Sequence, residues 1–314
     1  MLSVKLFHGE DKGGGAYRTS LNLAEWLREQ GHVVELLTYR QGSLTRDERQ
    51  IWFENNISRE DLIILVQPEM FFACFRYFFN HPSAVFSSRH KFVYHMRNDL
   101  AELRKRFSLT KNIAHYFCLL IFAYIVRGHV VTNAFLEKLA FIPMDYLANI
   151  YHLSADETRV GKIDRFVFVN GASAQKRPDI LLSKMATLCM KTGMSLHVYG
   201  PPIHGQGQFI VNQGYQSSID YTQSALLCSS DYEGEPNVFL EAFEQRVPVI
   251  YIGTNERLKT IVHRFFGVVS ENGNVDLEKL EGSKITGMND IRRQSISQFG
   301  VWLNGINEEK KRVY

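Results

Sequence analysis

The chain has 314 residues, of which 45% are hydrophobic, and its formal net charge is +3. This length and apolar content are sufficient for two domains with separate cores, and they argue against a disordered chain. So small a net charge also argues against a general nucleic-acid-binding protein.

The cysteines and the apolar runs indicate the cellular compartment of the protein. The chain contains four widely spaced cysteines, Cys74, Cys118, Cys189 and Cys228. They lack the CxxC or CxxH spacing of a zinc site and suggest no disulfide framework, so the sequence predicts reduced thiols in a cytoplasmic protein. The N-terminal stretch MLSVKLFHGEDK lacks an apolar core of signal-peptide length, so secretion is not expected. The longest apolar run, at 113–126, is shorter than the roughly 20 residues that span a bilayer.

Strands and helices are predicted to alternate along the chain in two successive sets. In the first set, apolar runs predict strands at 2–7, 32–39, 61–67, 91–96 and 129–133, with a helix at 16–30. After a polar segment at 154–164, further strands are predicted at 165–170, 195–200, 224–230 and 247–253. Alternation of this kind predicts parallel sheets with helices on both faces, and therefore two α/β halves.

A short stretch in the second half, DYEGEPNVFLEA at 231–242, combines acidic residues with the start of a helix. Pro236 and Asn237 favour a helix that begins just after Glu233, because proline needs no amide partner there and asparagine can cap free N–H groups. The amides of the first turn, including that of Val238, together with the helix dipole form a site for a phosphate.

Two of the acids in this stretch, Glu233 and Glu241, have seven residues between them. Glu241 lies one turn into the predicted helix, where its carboxylate could accept hydrogen bonds from the hydroxyls of a ribose. Glu233 could accept from the hydroxyls of a second sugar beyond the phosphates. The pattern thus predicts a nucleotide-sugar clamp. The spacing is equally consistent with a Glu241 that only favours the helix dipole and a Glu233 that is a solvated loop acid.

The stretch at 229–242, followed by VPVI at 247–250, resembles the donor-binding signature of retaining glycosyltransferases of the GT-B fold, family four. More weakly, the stretches at 145–153, 166–182 and 196–202 resemble that family in the same order. The resemblance implies an α/β chain of GT-B architecture, with two Rossmann-like domains whose parallel sheets face each other across a cleft. It implies an acceptor-side domain at 1–152 and a donor domain at 153–299, with a C-terminal helix at about 300–314 that packs back on the first domain.

The resemblance also places the phosphate-binding lysine of the family at Lys176. A point cation there would neutralise the leaving diphosphate, and a solvated loop lysine is the alternative. The arginine that precedes this lysine in the family is absent, so Arg177 is a candidate substitute. Arg246 stands where the family has a turn glycine. These departures are also consistent with a weakened or inactive relative of that family.

Two features of the first half are further candidates. Gly14 and Gly15 follow the first predicted strand, and glycine lets backbone approach a ligand such as the donor phosphates or the acceptor; a plain tight turn is the alternative. The cluster does not match GxGxxG, which disfavours an NAD-dependent dehydrogenase. His95 lies at the end of a predicted strand, where ligands bind in open α/β sheets. The family commonly has a histidine near the transferred sugar in this loop, and a structural histidine is the alternative.

Residues 70–130 are rich in basic and aromatic side chains, with nine Lys or Arg against two acids and fourteen aromatic residues. One interpretation is a set of core helices with solvated basic faces. The other is a surface patch that binds an anionic membrane, with aromatic and aliphatic side chains entering the interface.

The resemblance implies a hexosyltransferase that moves a sugar from a UDP- or GDP-sugar, with retention, to a glycan or lipid-linked acceptor. Its implied setting is the assembly of surface polysaccharide or lipopolysaccharide, in the cytoplasm and at the inner face of the cell membrane. No Asp-x-Asp pair occurs in the sequence, so no metal and no other cofactor is expected. Two alternatives remain: a nucleotide-sugar epimerase of similar fold, and a non-catalytic glycosyltransferase-like subunit.

Overall fold

The computed structural model describes residues 1–11, 15–40, 44–57, 61–83, 91–97, 108–133, 139, 141–171, 174–203, 209–216, 218–270 and 272–313. The chain divides into two compact units. Unit 1 consists of Met1–Tyr151 together with Ile291–Tyr314, and unit 2 consists of His152–Asp290. Each unit has its own parallel sheet.

The sheet of unit 1 has six parallel strands in the order β2-β1-β3-β4-β5-β6. The strands are β1 (Ser3–Asp11), β2 (Val33–Arg40), β3 (Leu62–Leu65), β4 (Phe92–Met96), β5 (His129–Thr132) and β6 (Met144–Tyr146). Strands β3 and β4 are buried along their whole length, which explains why they read as continuous apolar runs.

Within the described ranges of unit 1, helices follow the strands in the chain. They are α1 (Gly15–Glu29), α2 (Arg46–Asn56), α3 (Pro68–Asn80) and α4 (Leu109–Tyr124). One core forms where α3 and α4 pack on the sheet, with Phe71 stacked on Tyr94 and in edge contact with Phe122. A second core, on the other sheet face, contains the buried side chains of α1.

The basic and aromatic window at 70–130 is therefore not one surface. Most aromatic side chains of α3 belong to the core, because its apolar face packs on the sheet. Helix α4 differs, since Leu109, Ile113, Phe117 and Tyr124 are all exposed. The interpretation as core helices thus holds for α3, while α4 presents apolar side chains to solvent.

The sheet of unit 2 has six parallel strands in the order β10-β9-β8-β11-β12-β13. The strands of this unit are β7 (Thr158–Arg159), β8 (Arg165–Val169), β9 (Ser195–Tyr199), β10 (Ile210–Gly214), β11 (Ser224–Cys228), β12 (Val249–Tyr251), β13 (Gly267–Val269) and β14 (Lys284–Ile285). Strands β7 and β14 form a separate antiparallel ribbon. The strand order reverses between β8 and β11, and ligands of open α/β sheets bind at such a switch point.

The helices of unit 2 connect these strands. They are α5 (Pro178–Thr192), α6 (Asn237–Glu244), α7 (Glu256–Ile261) with a π-helical continuation at Val262–Phe266, and α8 (Leu277–Leu280). Its core lies between the sheet and α5, with Phe166, Phe168 and Met185 fully buried.

The last helix, α9 (Asn289–Val313), begins before residue 300 and belongs to unit 1 from Ile291 onward. Its early turns are fixed by polar contacts, since the buried Arg292 donates to the carbonyls of Asn149 and Tyr151 at 2.8 and 3.0 Å. Among the helices of the described ranges, none combines the length and the apolar character that a bilayer crossing requires.

Candidate functional site

Two segments of unit 2 meet where the strand order reverses. The segment after β8 ends in a single 3-10 turn, Ala174–Lys176, and the segment after β11 leads into α6. The hydroxyl of Ser229 donates to the carbonyl of Lys176 at 2.6 Å, and the amide of Asp231 donates to the carbonyl of Gln175 at 2.9 Å. These hydrogen bonds hold the two segments side by side, as expected at a switch point.

Lys176 and Glu233 form an ion pair across these segments. The Nζ atom of Lys176 lies 2.5 Å from Oε1 of Glu233, and the hydroxyl of Ser230 donates to the same oxygen at 2.8 Å. The side chains are only 19% and 10% exposed, respectively, so solvent screens the pair weakly. The two residues that the sequence assigns to the diphosphate and to the sugar are thus direct neighbours.

Arg177 is engaged by two carboxylates. Its guanidinium donates to Asp179 at 2.7 Å and to Asp231 at 3.2 Å, and its backbone is left-handed with φ of +48°. The hydrogen bond that Arg177 donates to Asp179 is the main reason that the pKa of Arg177 is raised above its usual value. A diphosphate that recruits Arg177 in place of the absent arginine has to compete with both carboxylates.

Helix α6 begins one residue earlier than a cap at Asn237 requires. Pro236 takes the N-cap position and makes no side-chain capping hydrogen bond, so Asn237 is the first helical residue. The physical reason is that the extended backbone of Pro236 breaks the helix while its ring offers no acceptor. Val238 follows in the first turn, and the half-buried Glu241 lies one turn beyond Asn237.

Hydroxyl and amide groups that the sequence did not single out support the loop ahead of α6. The buried Tyr251 hydroxyl donates to the carbonyl of Ser230 at 2.8 Å and accepts from the amide of Asn255 at 3.0 Å. The side chain of Asn255 donates to the carbonyl of Asp231 at 2.9 Å. Burial raises the pKa of Tyr251, so the hydroxyl remains a donor. The sequence does show a tyrosine at the end of an apolar strand, but it does not reveal the contact with Ser230, which lies 21 residues earlier in the chain.

The loop after β9 approaches the loop after β8 closely. Gly200 has φ of +103°, and a Cβ atom at this position would lie 2.0 Å from the carbonyl oxygen of Asn170. Its amide donates to Gly214 at 2.7 Å. The region 200–214 ends in strand β10, and residues 204–208 of it lie outside the described residues.

Arg246 keeps the turn that a glycine makes in the family the sequence resembles. Its φ is +61°, in the left-handed region that glycine favours. Its amide donates to Phe243 at 3.0 Å, and its carbonyl accepts from the amide of Gly161 at 3.1 Å. The substitution therefore leaves the backbone path between α6 and β12 in the conformation that this turn requires.

The remaining predicted site residues belong to unit 1. Gly14 lies outside the described residues, and Gly15 is the exposed first residue of α1. His95 lies near the end of β4, as predicted, and it is 1% exposed. Burial, followed by the nearby Arg97, lowers the pKa of His95 well below its usual value, so the ring is neutral.

No group of three His, Cys, Asp or Glu side chains that could hold a metal ion occurs among the residues that the structure describes.

Comparison with known proteins gives the fold. No protein-family model and no curated protein sequence matches the chain. A glycosyltransferase from Rickettsia africae is similar over 98% of both chains at 11% identity, with a TM-score of 0.56. A UDP-forming α,α-trehalose-phosphate synthase from Burkholderia xenovorans is similar over 98% of both chains at 9% identity, with a TM-score of 0.55.

An α-glucosyltransferase in complex with UDP and a mismatched 13-mer DNA is also similar. The likeness covers 80% of this chain and 79% of that one, at 10% identity and a TM-score of 0.50. At these identities the likeness concerns the fold alone. The chain has the α/β fold of GT-B glycosyltransferases, with two Rossmann-like units that are each built on a parallel six-stranded sheet.

Proposed function

We propose that the protein is a glycosyltransferase that moves a sugar from a UDP- or GDP-sugar to a glycan or lipid-linked acceptor. The observation that carries this proposal is the mostly buried pair of Lys176 and Glu233 at the switch point, directly ahead of α6. Lys176 supplies a cation for the diphosphate, and the first turn of α6 adds N–H groups and a helix dipole. Glu233 accepts from sugar hydroxyls, and Glu241 accepts from the ribose.

The chemical step breaks the bond between the anomeric carbon and a phosphate oxygen, so negative charge grows on the leaving nucleoside diphosphate. Lys176 and the first turn of α6 stabilise that charge where it develops. The ammonium exchanges its partner, Glu233, for the phosphate. Released from the ammonium, the carboxylate is available to the sugar at the same moment.

We assign retention of configuration to attack from the side of the leaving diphosphate. The acceptor hydroxyl forms the new bond to the anomeric carbon on that face, and its proton passes to the departing phosphate oxygen. This route requires no general base from the protein and no metal ion, because Lys176 carries the electrostatic role. Nuclear magnetic resonance of the product's anomeric proton tests retention, and excess EDTA tests metal independence.

The first experiment is a thermal-shift screen of UDP, GDP and their sugar conjugates. A specific nucleotide raises the melting temperature by mass action, and this rise shrinks in Lys176→Ala and in Glu241→Ala. If neither nucleotide stabilises the wild-type protein, the proposed function fails. The stabilising donor is then incubated with and without candidate acceptors, and free nucleotide and sugar products are measured.

The turnover assay separates three functions. Donor consumption that depends on acceptor supports transfer, whereas conversion of the donor without acceptor and without free nucleotide supports an epimerase. Binding without turnover supports a non-catalytic subunit. That last alternative draws support from Arg177, since two carboxylates already engage its guanidinium.

We further propose a cytoplasmic protein that contacts the inner face of the cell membrane during surface-polysaccharide or lipopolysaccharide assembly. Support comes from a cavity of about 340 Å³ between α2, α3 and α4, whose charged lining consists of the four cations Arg46, Arg49, Arg76 and Lys111 and the carboxylate Glu69. The exposed apolar side chains of α4 lie on the helix that forms one wall of this cavity. Cations beside exposed apolar groups favour an anionic lipid surface.

Flotation with liposomes tests this contact. Vesicles that contain anionic lipid are expected to carry the wild-type protein upward, and neutral vesicles are not. The double variant Arg46→Gln/Arg49→Gln is expected to lose flotation, while Lys279→Gln, an exposed residue of unit 2, serves as the matched control. A wild-type protein that stays in the soluble fraction with anionic vesicles contradicts the membrane contact.

A further inference from the structure

Unit 1 contains a buried polar cluster on the α1 face of its sheet. His8 of β1 and His95 of β4 are 2% and 1% exposed, and Ser20 of α1 is fully buried. Nδ1 of His8 and the Ser20 hydroxyl are 2.7 Å apart, and Gln67, which follows β3, lies 3.5 Å from Nε2 of His8. The cluster thus draws on strands β1, β3 and β4, and the strand order of unit 1 reverses between β1 and β3.

Arg97 follows β4 and places its guanidinium in this cluster. Its Nη1 donates to the carbonyl of Ala16 at 2.6 Å and to the hydroxyl of Ser20 at 2.8 Å. Its Nε contacts Nδ1 of His95 at 3.5 Å. Its Nη2 is buried and has no hydrogen-bond partner within the described ranges. Burial lowers the pKa of Arg97 to about 9, so the side chain is still a cation at neutral pH.

The contact with Arg97 defines the tautomer of His95. A guanidinium can only donate, so Nδ1 of His95 is the acceptor and the proton of the neutral ring lies on Nε2. That Nε2 atom is also buried and unpartnered as far as the structure describes the chain. Both unsatisfied groups are therefore hydrogen-bond donors.

The cluster lacks hydrogen-bond acceptors, and the half-buried cation of Arg97 adds to this deficit. A buried donor without an acceptor is costly, and a buried guanidinium more so, unless an anion compensates it. The hydrogen bonds from Nη1 of Arg97 to α1 are sufficient for a purely structural role of this side chain. The unused donors of Arg97 and His95 call for oxygen atoms that carry negative charge, as phosphate and carboxylate groups do.

We infer that unit 1 binds an oxyanion, a phosphate or a carboxylate, whose oxygens accept hydrogen bonds from Nη2 of Arg97 and Nε2 of His95. The identity of the ligand rests on the proposed function: the oxyanion belongs to the acceptor, so the acceptor is an acidic glycan or a phosphate-bearing lipid. This gives His95 an anion contact in place of the sugar contact that the resemblance implies. Arg97 determines specificity for the acidic group.

The test is binding of inorganic phosphate, and separately of glucuronate, to the full chain in the presence of saturating UDP or GDP. The nucleotide occupies the donor site, so added anion reports on unit 1. At constant ionic strength one of the two anions is expected to raise the melting temperature of the wild-type protein. Arg97→Gln is expected to weaken that anion's binding at least about tenfold. The anion that binds more tightly identifies the acidic group of the acceptor as a phosphate or a carboxylate.

Two variants serve as controls. Arg28→Gln, an exposed arginine in the last turn of α1, should bind the anion like the wild type, because it lies outside the cluster. Lys176→Ala should lose nucleotide stabilisation and keep anion binding. A wild-type protein that binds the anion but neither nucleotide defeats the proposed function alone. No shift with either anion, or an equal shift in Arg97→Gln, defeats the anion site alone.

A second measurement does not depend on the folding of a variant. Long-range proton–nitrogen spectra of the wild-type histidines, with His95→Gln for assignment, report the protonated ring nitrogen. The expected result is a neutral His95 protonated on Nε2, with a resonance that moves when the anion is added. Protonation on Nδ1, or a resonance unmoved by saturating anion, overturns the inference.

Discussion

The ammonium of Lys176 and the carboxylate of Glu233 lie 2.5 Å apart, each held by a different segment of unit 2. The hydroxyl of Ser230 shares the same carboxylate oxygen. A charged pair with little exposure loses much of its hydration, so each partner depends on the other for compensation. Any ligand that takes one partner therefore changes the state of the other.

Lys176→Ala is expected to lower kcat by about a hundredfold, because a cation that stabilises the leaving diphosphate typically contributes on the order of 3 kcal/mol. The measurement is nucleotide release from the donor that the thermal-shift screen identifies. Lys191→Ala, in the last turn of α5 and exposed, is the matched control and should retain wild-type turnover. Wild-type kcat in Lys176→Ala removes the proposed role.

Glu241→Ala is expected to abolish recognition of the ribose hydroxyls. The wild-type protein should bind the 2′-deoxy form of its nucleotide about tenfold more weakly than the ribose form, because a charged acceptor loses one donor. In Glu241→Ala the two forms should bind equally, as a double-mutant cycle requires of a direct contact. Calorimetric titration measures both affinities. Unchanged discrimination in the variant shows that Glu241 does not contact the ribose.

The strands were predictable because parallel strands buried on both faces read as continuous apolar runs, as β3 and β11 do. Strand β10 was not predicted, since it is a half-exposed edge strand with the polar residues Asn212 and Gln213. The ribbon of β7 and β14 was missed as well. Each of its strands has two residues, which is too short for a periodic signal.

The sequence identified Lys176 and Glu233 as candidate site residues, but it did not predict that their side chains are in contact. Spacing and resemblance single out Lys176 and Glu233, but their pairing arises from the sheet order, which joins segments that are 57 residues apart. The left-handed backbone of Arg177 and its bond to Asp231 depend on the same through-space neighbourhood. Sequence periodicity contains no information on such partners.

His115 should make stability fall on mild acidification. It is packed against Phe71, Phe72 and Tyr94, and burial lowers its pKa from 6.5 to about 4. The unfolded chain therefore binds a proton between these values while the folded protein does not, so the free energy of unfolding decreases as the pH falls from 6.5 to 4.

The contribution of His115 is at most roughly 3 kcal/mol. Denaturant unfolding at a series of pH values measures it, and His115→Phe should show a shallower decline than the wild-type protein. Other buried histidines contribute to both curves, so the difference between them is the informative quantity. Parallel curves contradict the assignment.

Gly200→Ala should destabilise unit 2 by about 2–4 kcal/mol, because its Cβ would lie 2.0 Å from the backbone oxygen of Asn170. Gly193→Ala is the matched control. Gly193 also has a positive φ, of +68°, but a Cβ there has no heavy atom within 4 Å, so only the conformational cost of about 1 kcal/mol applies. Thermal unfolding of both variants separates steric conflict from backbone strain. Equal losses of stability in the two variants would show that the loop moves to accommodate the Cβ atom without a free-energy penalty.

The hydrogen bonds from Ser229 and Asp231 to the neighbouring 3-10 turn have a kinetic consequence. They set the spacing of ammonium and carboxylate before any donor arrives, so this half of the pocket acts as a rigid template. A bound donor should then replace the Lys176–Glu233 ion pair without a movement of the backbone. A free monosaccharide has no phosphate to bind the ammonium, so Glu233 should stay paired with Lys176 and the monosaccharide should bind weakly.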